Sequence, residues 1–372
     1  MKHTGSAMGA RAGGALFTPA RIGTLEVRNR LVRSATAEKL CDPTGRPLPR
    51  LAQLYRELAA GGLGLLITGH AYVTPDGKCH PEMLGAYSDE LVPDLAALAA
   101  AAHEGGAAIA LQINHGGRQC RPEAVSQPVA PSAIMIPESQ TVPVELDHEG
   151  IERIVAAFAH AARRARAARF DAVQIHAAHG YLGSQFLSPL TNKRTDAYGG
   201  SLPARARFLE SVVAAVRAAV GEDFPVFIKL GATDCVPDGL TAPQGAQVAA
   251  WLEAWGLDAI EISTGGRGAI RTRIRRPSQE AYLLEPARAV RRQTKLPLML
   301  VGGLRSRPVM EAVLAEGFDF ISLSRPLICE PDLPRKLASA PDSTASCISC
   351  NRCWPETAGA GIACQRGAAE QL

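Results

Sequence analysis

His176 and His179 stand three residues apart, and Tyr181 follows two positions on. Two imidazoles at that spacing, neutral or protonated, can both face one oxygen and polarise a carbonyl, which makes its β-carbon electrophilic. A histidine pair also suits a metal, but no carboxylate or third histidine nearby completes a set. Further along, Gly302-Gly303 and Ser324-Arg325 each end an apolar run. A glycine there can be a plain turn. Two such turns on consecutive runs, one carrying arginine, favour a phosphate, because bare backbone N–H groups can surround a dianion and the guanidinium adds fixed charge. Four cysteines gather near the C-terminus: Cys347, Cys350 and Cys353 at C-x2-C-x2-C spacing, then Cys364. Thiolates so spaced can take three corners of a 4Fe–4S cluster with a distant fourth. Four cysteines also suit zinc, and unligated thiols are the third reading.

Such groups need elements to hold them. Short β-rich runs at 30–35, 63–68, 107–113, 171–176, 225–230, 258–263, 296–302 and 319–324 alternate with helical patterns. The helical patterns cover 51–60, 91–104, 151–168, 203–220, 243–255, 281–293, 308–316 and 331–340. Near-continuous apolarity, as in Gly64-Leu-Leu-Ile-Thr68, fits parallel strands buried on both faces. Eight strand–helix units predict a (β/α)8 TIM barrel over 16–343, with chemistry at the C-terminal strand ends. A doubly wound sheet is the alternative, but its first strand would lead into a glycine-rich turn. Here that strand leads into Ser34-Ala35-Thr36-Ala37. Residues 1–15 read as a disordered extension, and 344–372 as a cysteine-containing tail.

Composition excludes other classes. The 372 residues are 47 % apolar and 20 % charged, with a net charge of +4. The arginines are scattered, not gathered with aromatics, so no nucleic-acid partner is expected. No apolar run has the length of a membrane span or the form of a signal peptide, so a cytoplasmic protein without a membrane partner is expected. Nine cysteines in that setting point to thiols or metal ligands, not disulfides.

Several stretches resemble the Old Yellow Enzyme-like NADH:flavin oxidoreductase family. They are Leu16-Phe-Thr-Pro-Ala-Arg-Ile-Gly-Thr-Leu25 with Arg28-Asn-Arg-Leu-Val32, His176-Ala-Ala-His-Gly-Tyr-Leu182, Gln185-Phe-Leu-Ser-Pro189 and Asn192-Lys-Arg-Thr-Asp-Ala-Tyr-Gly-Gly200. Val301-Gly-Gly303 and Ser324-Arg-Pro326 look like that family's phosphate-binding pair. The resemblance implies FMN, with Ser34, Ala35 and Thr36 along one ring edge, His70 nearby through its backbone, and Gln112 on the pyrimidine amide. It places Lys229 as a cation against the flavin N1 and O2, favouring the reduced ring. It gives Gly302, Gly303, Ser324 and Arg325 to the phosphate, His176 and His179 to substrate polarisation, and Tyr181 to proton donation at the α-carbon. Packing at the barrel rim is the plainer reading of Tyr181. Ala37 departs from the family, where threonine or cysteine tunes or covalently holds the flavin, so FMN is expected to be non-covalent.

The cysteine spacing resembles the iron–sulfur motif of 2,4-dienoyl-CoA reductase and trimethylamine dehydrogenase, which continue into a further nucleotide-binding region. The leading implication is an ene-reductase: NAD(P)H reduces FMN, and hydride passes to an enone, enoyl compound or related activated alkene. A dehydrogenase passing electrons through the cluster to a separate partner is the runner-up, and homo-oligomers fit either reading. From other classes come a Schiff-base lyase using Lys229 and a flavin-binding regulator. Arg267, Arg271, Arg273, Arg275 and Arg276 offer a receptor for a carboxylate, CoA phosphate or dinucleotide, or form a solvated loop.

Overall fold

The computed structural model describes residues 14–136, 140–266, 278–355, 357 and 359–366. The arginine-rich segment 267–276 and residues 1–13 lie outside the described residues. At the start of the described residues, Ala15 N–H donates to Glu311 Oε2 at 3.0 Å and opens a 3-10 turn, Ala15–Phe17.

Eight parallel strands close on themselves: β1 (Leu31–Arg33), β2 (Leu65–Ile67), β3 (Ala108–Asn114), β4 (Ala172–Ala177), β5 (Val226–Gly231), β6 (Ala259–Ser263), β7 (Leu298–Val301) and β8 (Phe320–Leu323). Pairing of β8 with β1 and of β3 with β4 completes the ring. Helices α1 (Pro49–Ala60), α2 (Val92–Glu104), α3 (His148–Ala167), α4 (Leu202–Val220), α5 (Ala242–Ala254), α6 (Leu284–Arg291), α7 (Arg307–Ala315) and α8 (Leu333–Ser339) follow the strands in turn. The predicted TIM barrel is the observed fold. No helix among the described residues is long and apolar enough to cross a membrane.

Strand alternation creates two separate cores, because successive side chains point to opposite faces. Leu31, Leu66, Ile109, Leu111, Val173, Ile175, Val226, Ile228, Ile260, Leu298 and Ile321 face the helices and join the large outer core. Their neighbours Val32, Leu65, Ile67, Ala110, Ala172, Phe227, Ala259, Met299 and Phe320 form a smaller inner cluster. A hairpin of Ala20–Ile22 against Leu25–Val27 contributes Ile22 and Val27 to this cluster, plugging one end of the barrel. The interior is thus packed at that end and leaves the other end for polar groups.

Candidate active site

On five strands, the face that carries an apolar plug residue turns polar two residues further on. Ala110 is followed on the same face by Gln112 and Asn114, Ala172 by Gln174 and His176, Phe227 by Lys229, Ala259 by Glu261 and Ser263, and Val32 by Ser34. These side chains bond to one another around the ring. Gln112 Nε2 donates to Gln174 Oε1 at 2.7 Å, and Gln174 Nε2 to Glu261 Oε2 at 3.0 Å. Lys229 Nζ lies 3.0 Å from Glu261 Oε2 and donates to Ser34 Oγ at 2.7 Å, while Ser34 donates to Glu261 Oε1 at 2.6 Å. Glu261 is fully buried and Lys229 only 2 % exposed. Burial alone would raise the Glu261 carboxyl, yet Lys229 and the hydrogen bonds from Ser34, Lys229 and Gln174 hold it below its ordinary value. Lys229 therefore reaches the mouth already paired. Glu261 and Gln174 were not singled out in the sequence, although their place two residues above Ala259 and Ala172 is a usable signal.

At the end of β4, His176 and His179 have ring centroids 5.0 Å apart, and His176 and Tyr181 4.9 Å. His176 Nδ1 accepts from Ala178 N–H at 3.2 Å, which leaves the proton of the neutral ring on Nε2. Burial, then His179, His70 and Lys229, hold His176 well below the usual imidazole range. Burial, Lys229 and His70 bring His179 down to about 3, and its Nε2 lies 2.7 Å from Ser263 Oγ. Of the two protonation states read from the sequence, the neutral one belongs to this site. His179 has φ +61°, a left-handed conformation that a bulky residue adopts only where its surroundings impose it. Gln185 helps impose it: Nε2 donates to Gly116 O and Gly180 O, and Oε1 accepts from Arg118 N–H, tying the β3 and β4 loops together under Tyr181.

His70, expected near the flavin through its backbone, turns its side chain toward β4. That side chain lies 5.0 Å from the Tyr181 ring and 6.1 Å from His176, with Nδ1 2.9 Å from Asn114 Nδ2. The Asn192–Gly200 signature has a structural task. Asn192 Nδ2 donates to Phe186 O and Tyr198 O, and buried Arg194 binds Pro131 O, Leu146 O and Asp196.

The expected phosphate end lies across the mouth. Gly302 and Gly303 have φ +129° and +74°, and a Cβ at position 303 would sit 2.9 Å from Gln279 O, so both the turn and the close approach require glycine. Thr36 Oγ1 lies 2.9 Å from Ser324 Oγ, and Arg33 donates to Ser324 O at 2.8 Å. Bare backbone at two neighbouring strand ends, a hydroxyl pair and Arg325 make a donor set that fits the phosphate of FMN. Ala35 packs against the inner apolar cluster beside them.

The tail reaches this same end. Arg325 Nη1 donates to Asn351 Oδ1, and Ile362 N–H to Glu38 O at 3.1 Å. Burial raises the Cys353 thiol, and the neighbouring Cys347, Cys350 and Cys364 reinforce the shift. Cys329, not singled out in the sequence, joins them by a hydrogen bond with Cys364, which with burial pushes its thiol up to about 12. No three His, Cys, Asp or Glu side chains among the described residues converge on one ion position.

Comparison with known proteins places this geometry. The profile of the NADH:flavin oxidoreductase / NADH oxidase family matches residues 15–342. The chain is 37 % identical over 343 residues to an "NADH oxidase" of Thermoanaerobacter brockii, covering 90 % of this chain and 52 % of that protein. Among solved structures, a 2-naphthoyl-CoA reductase in complex with 2-naphthoyl-CoA superposes with TM-score 0.85 at 31 % identity, over 91 % of this chain and 54 % of that one. The old yellow enzyme homologue from Zymomonas mobilis gives TM-score 0.78 at 28 % identity, over 90 % and 96 %. The chain spans about half the length of the first two and nearly all of the third. It belongs to the NADH:flavin oxidoreductase / NADH oxidase family of TIM-barrel oxidoreductases, whose cofactor is FMN and whose electron donor is NAD(P)H.

Proposed function

We propose that this barrel reduces activated carbon–carbon double bonds at the expense of NAD(P)H. FMN bound at the mouth supplies the hydride. His176 Nε2–H and the His179 ring face a substrate carbonyl oxygen, and as neutral donors they stabilise the enolate that develops there. Tyr181 hands its phenolic proton to the α-carbon. The carrying observation is the Ala178 N–H bond that fixes the His176 tautomer with its proton on Nε2, beside a tyrosine 4.9 Å away. Gln112, Ser34 and Lys229 would hold the pyrimidine side of the ring, with Glu261 moderating the lysine charge. Gly302, Gly303, Ser324 and Arg325 would hold the phosphate.

Tyr181→Phe tests the reading directly. Alkene reduction should slow about 10²-fold or more while reduction of the bound flavin by NADPH is spared. Stopped-flow traces with an equally fast oxidative half-reaction would remove Tyr181 from the mechanism.

A dehydrogenase sending electrons through a 4Fe–4S cluster to a separate acceptor is the second reading, favoured by the contact between Arg325 and Asn351 beside the gathered thiols. The lyase reading loses support because the Lys229 amine is held as an ion pair, and a protonated amine does not add to a carbonyl.

A further inference from the structure

Cys79 and Cys120 lie outside the machinery described above, on the loops after β2 and β3. A Cβ built on Gly116 would sit 2.6 Å from each of their sulfurs, so the two lie no more than twice that distance apart. Backbone bonds bracket the pair: Gly116 N–H donates to Gly77 O at 2.9 Å and Arg121 N–H to Cys79 O at 3.1 Å. The loops are therefore already held side by side, and a disulfide needs little more than side-chain rotation. Cys79 packs with Tyr72 and Met83 in a small cluster against which Tyr181 rests. It also accepts from Asn114 Nδ2 at 3.7 Å, the amide that contacts His70.

The two sulfurs differ in a way that suits oxidation. Burial opposes ionisation of Cys79, but hydrogen bonds from Cys120 and His70 and the nearby imidazoles of His70 and His115 outweigh it and lower its thiol. The bond to Cys79, with burial, raises Cys120. The contacts point the same way: Cys120 Sγ donates to Asp76 O at 3.5 Å, whereas Cys79 Sγ accepts from the Asn114 amide. Both are buried, at 4 % and 6 % exposure, which hinders bulky oxidants more than hydrogen peroxide.

We propose that Cys79 and Cys120 are a peroxide-oxidisable dithiol built into the wall of the substrate mouth. The Cys79 thiolate attacks one oxygen of hydrogen peroxide taken from solution, the O–O bond breaks, and hydroxide leaves a sulfenic acid on Cys79. The Cys120 sulfur then attacks the Cys79 sulfur, the S–O bond breaks, the Cys120 proton goes to the departing oxygen, and water leaves. Two electrons pass from the sulfurs to the peroxide, and one S–S bond forms. The disulfide removes the sulfur that Asn114 and His70 share, so the change reaches the ring packed on Tyr181.

FMN-loaded protein exposed to hydrogen peroxide, then denatured, alkylated and peptide-mapped, should yield a linked Cys79–Cys120 peptide that a thiol reductant reverses. Cys120→Ser should accumulate oxygen on Cys79 without a link, and Cys79→Ser should leave Cys120 reduced at the same dose. Binding of a phenol at the mouth should weaken several-fold on oxidation and recover on reduction. No linked peptide at doses that oxidise the tail cysteines, or equally fast Cys120 oxidation without Cys79, overturns the dithiol. A formed disulfide with unchanged phenol affinity overturns its coupling to the mouth. Both readouts stand apart from turnover, so they are separable from failure of the alkene-reductase reading.

Discussion

The barrel mouth and the cysteine tail both gather reactive side chains, and they do so by different means. At the mouth, the polar ring stands on strands or at their ends, where register fixes it, and its members complete one another's hydrogen bonds. Gln112, Gln174, Glu261, Lys229 and Ser34 bond in sequence around the ring. In the tail, Ser349 and Asn351 have positive φ, and Trp354 and Cys364 face solvent. Proton and hydride transfer demand atoms placed to a fraction of an ångström, which a closed sheet supplies before any ligand arrives. A metal-binding loop can take its final geometry from the metal itself.

The largest expected effect tests whether the mouth is built by mutual pairing. Glu261→Leu leaves the Lys229 ammonium buried without a counter-charge and should cost about 3–5 kcal/mol of stability. Denaturant titration should show most of that loss restored in the Glu261→Leu/Lys229→Met double variant. Equal instability of the single and double variants would mean that the ion pair does not organise the ring.

The histidines come next. His176→Ala and His179→Ala should each cost on the order of 2–4 kcal/mol in transition-state energy, with weaker phenol binding in parallel. Unchanged phenol affinity and charge-transfer absorbance in both variants would count against carbonyl polarisation.

Acidification gives a graded effect, smaller within any one pH unit. His179 is neutral in the folded chain down to about pH 3, whereas in the unfolded chain it takes up a proton near pH 6.5. The unfolded state thus binds more protons between those values. Stability is fully present above about pH 6.5 and falls as pH drops toward 3, by up to roughly 1.4 kcal/mol per unit for this group. Denaturant midpoints for His179→Asn should fall less steeply over that window than those of the parent chain. An identical slope would place the titration elsewhere.

The smallest effect on the barrel is expected from the tail. If the gathered thiols hold a 4Fe–4S cluster, anaerobic preparations should contain about four irons per chain, and Cys350→Ser should abolish them while FMN stays bound. One zinc per chain instead would make the tail a staple whose loss lowers thermal stability without altering flavin reactivity. Flavin loss together with the iron would erase the distinction between the two regions.

The barrel was legible because its signals are local and repeated. Eight apolar runs and eight amphipathic ones appear in the chain within a few residues of where they fold, and His176, His179 and Tyr181 share one strand end. The short helix Leu182–Leu187 and the plugging hairpin were not read, since each is too short to show a period. The polar ring was half legible. Lys229 and Gln112 stood out by resemblance, while Glu261 and Gln174 looked like any polar residue in a strand.

What the sequence alone determined is therefore which side chains lie on which face of each strand, because alternation is a property of the chain itself. Only the closed tertiary structure decided which of them meet. Glu261 pairs with Lys229 because β5 and β6 are neighbours in register. His70 reaches Tyr181, and Cys79 reaches Cys120, because loops from different strands converge at one end of the barrel. The protonation of His176 and His179 was equally undecided by the chain, since burial and the charges around them appear only when eight strand ends come together.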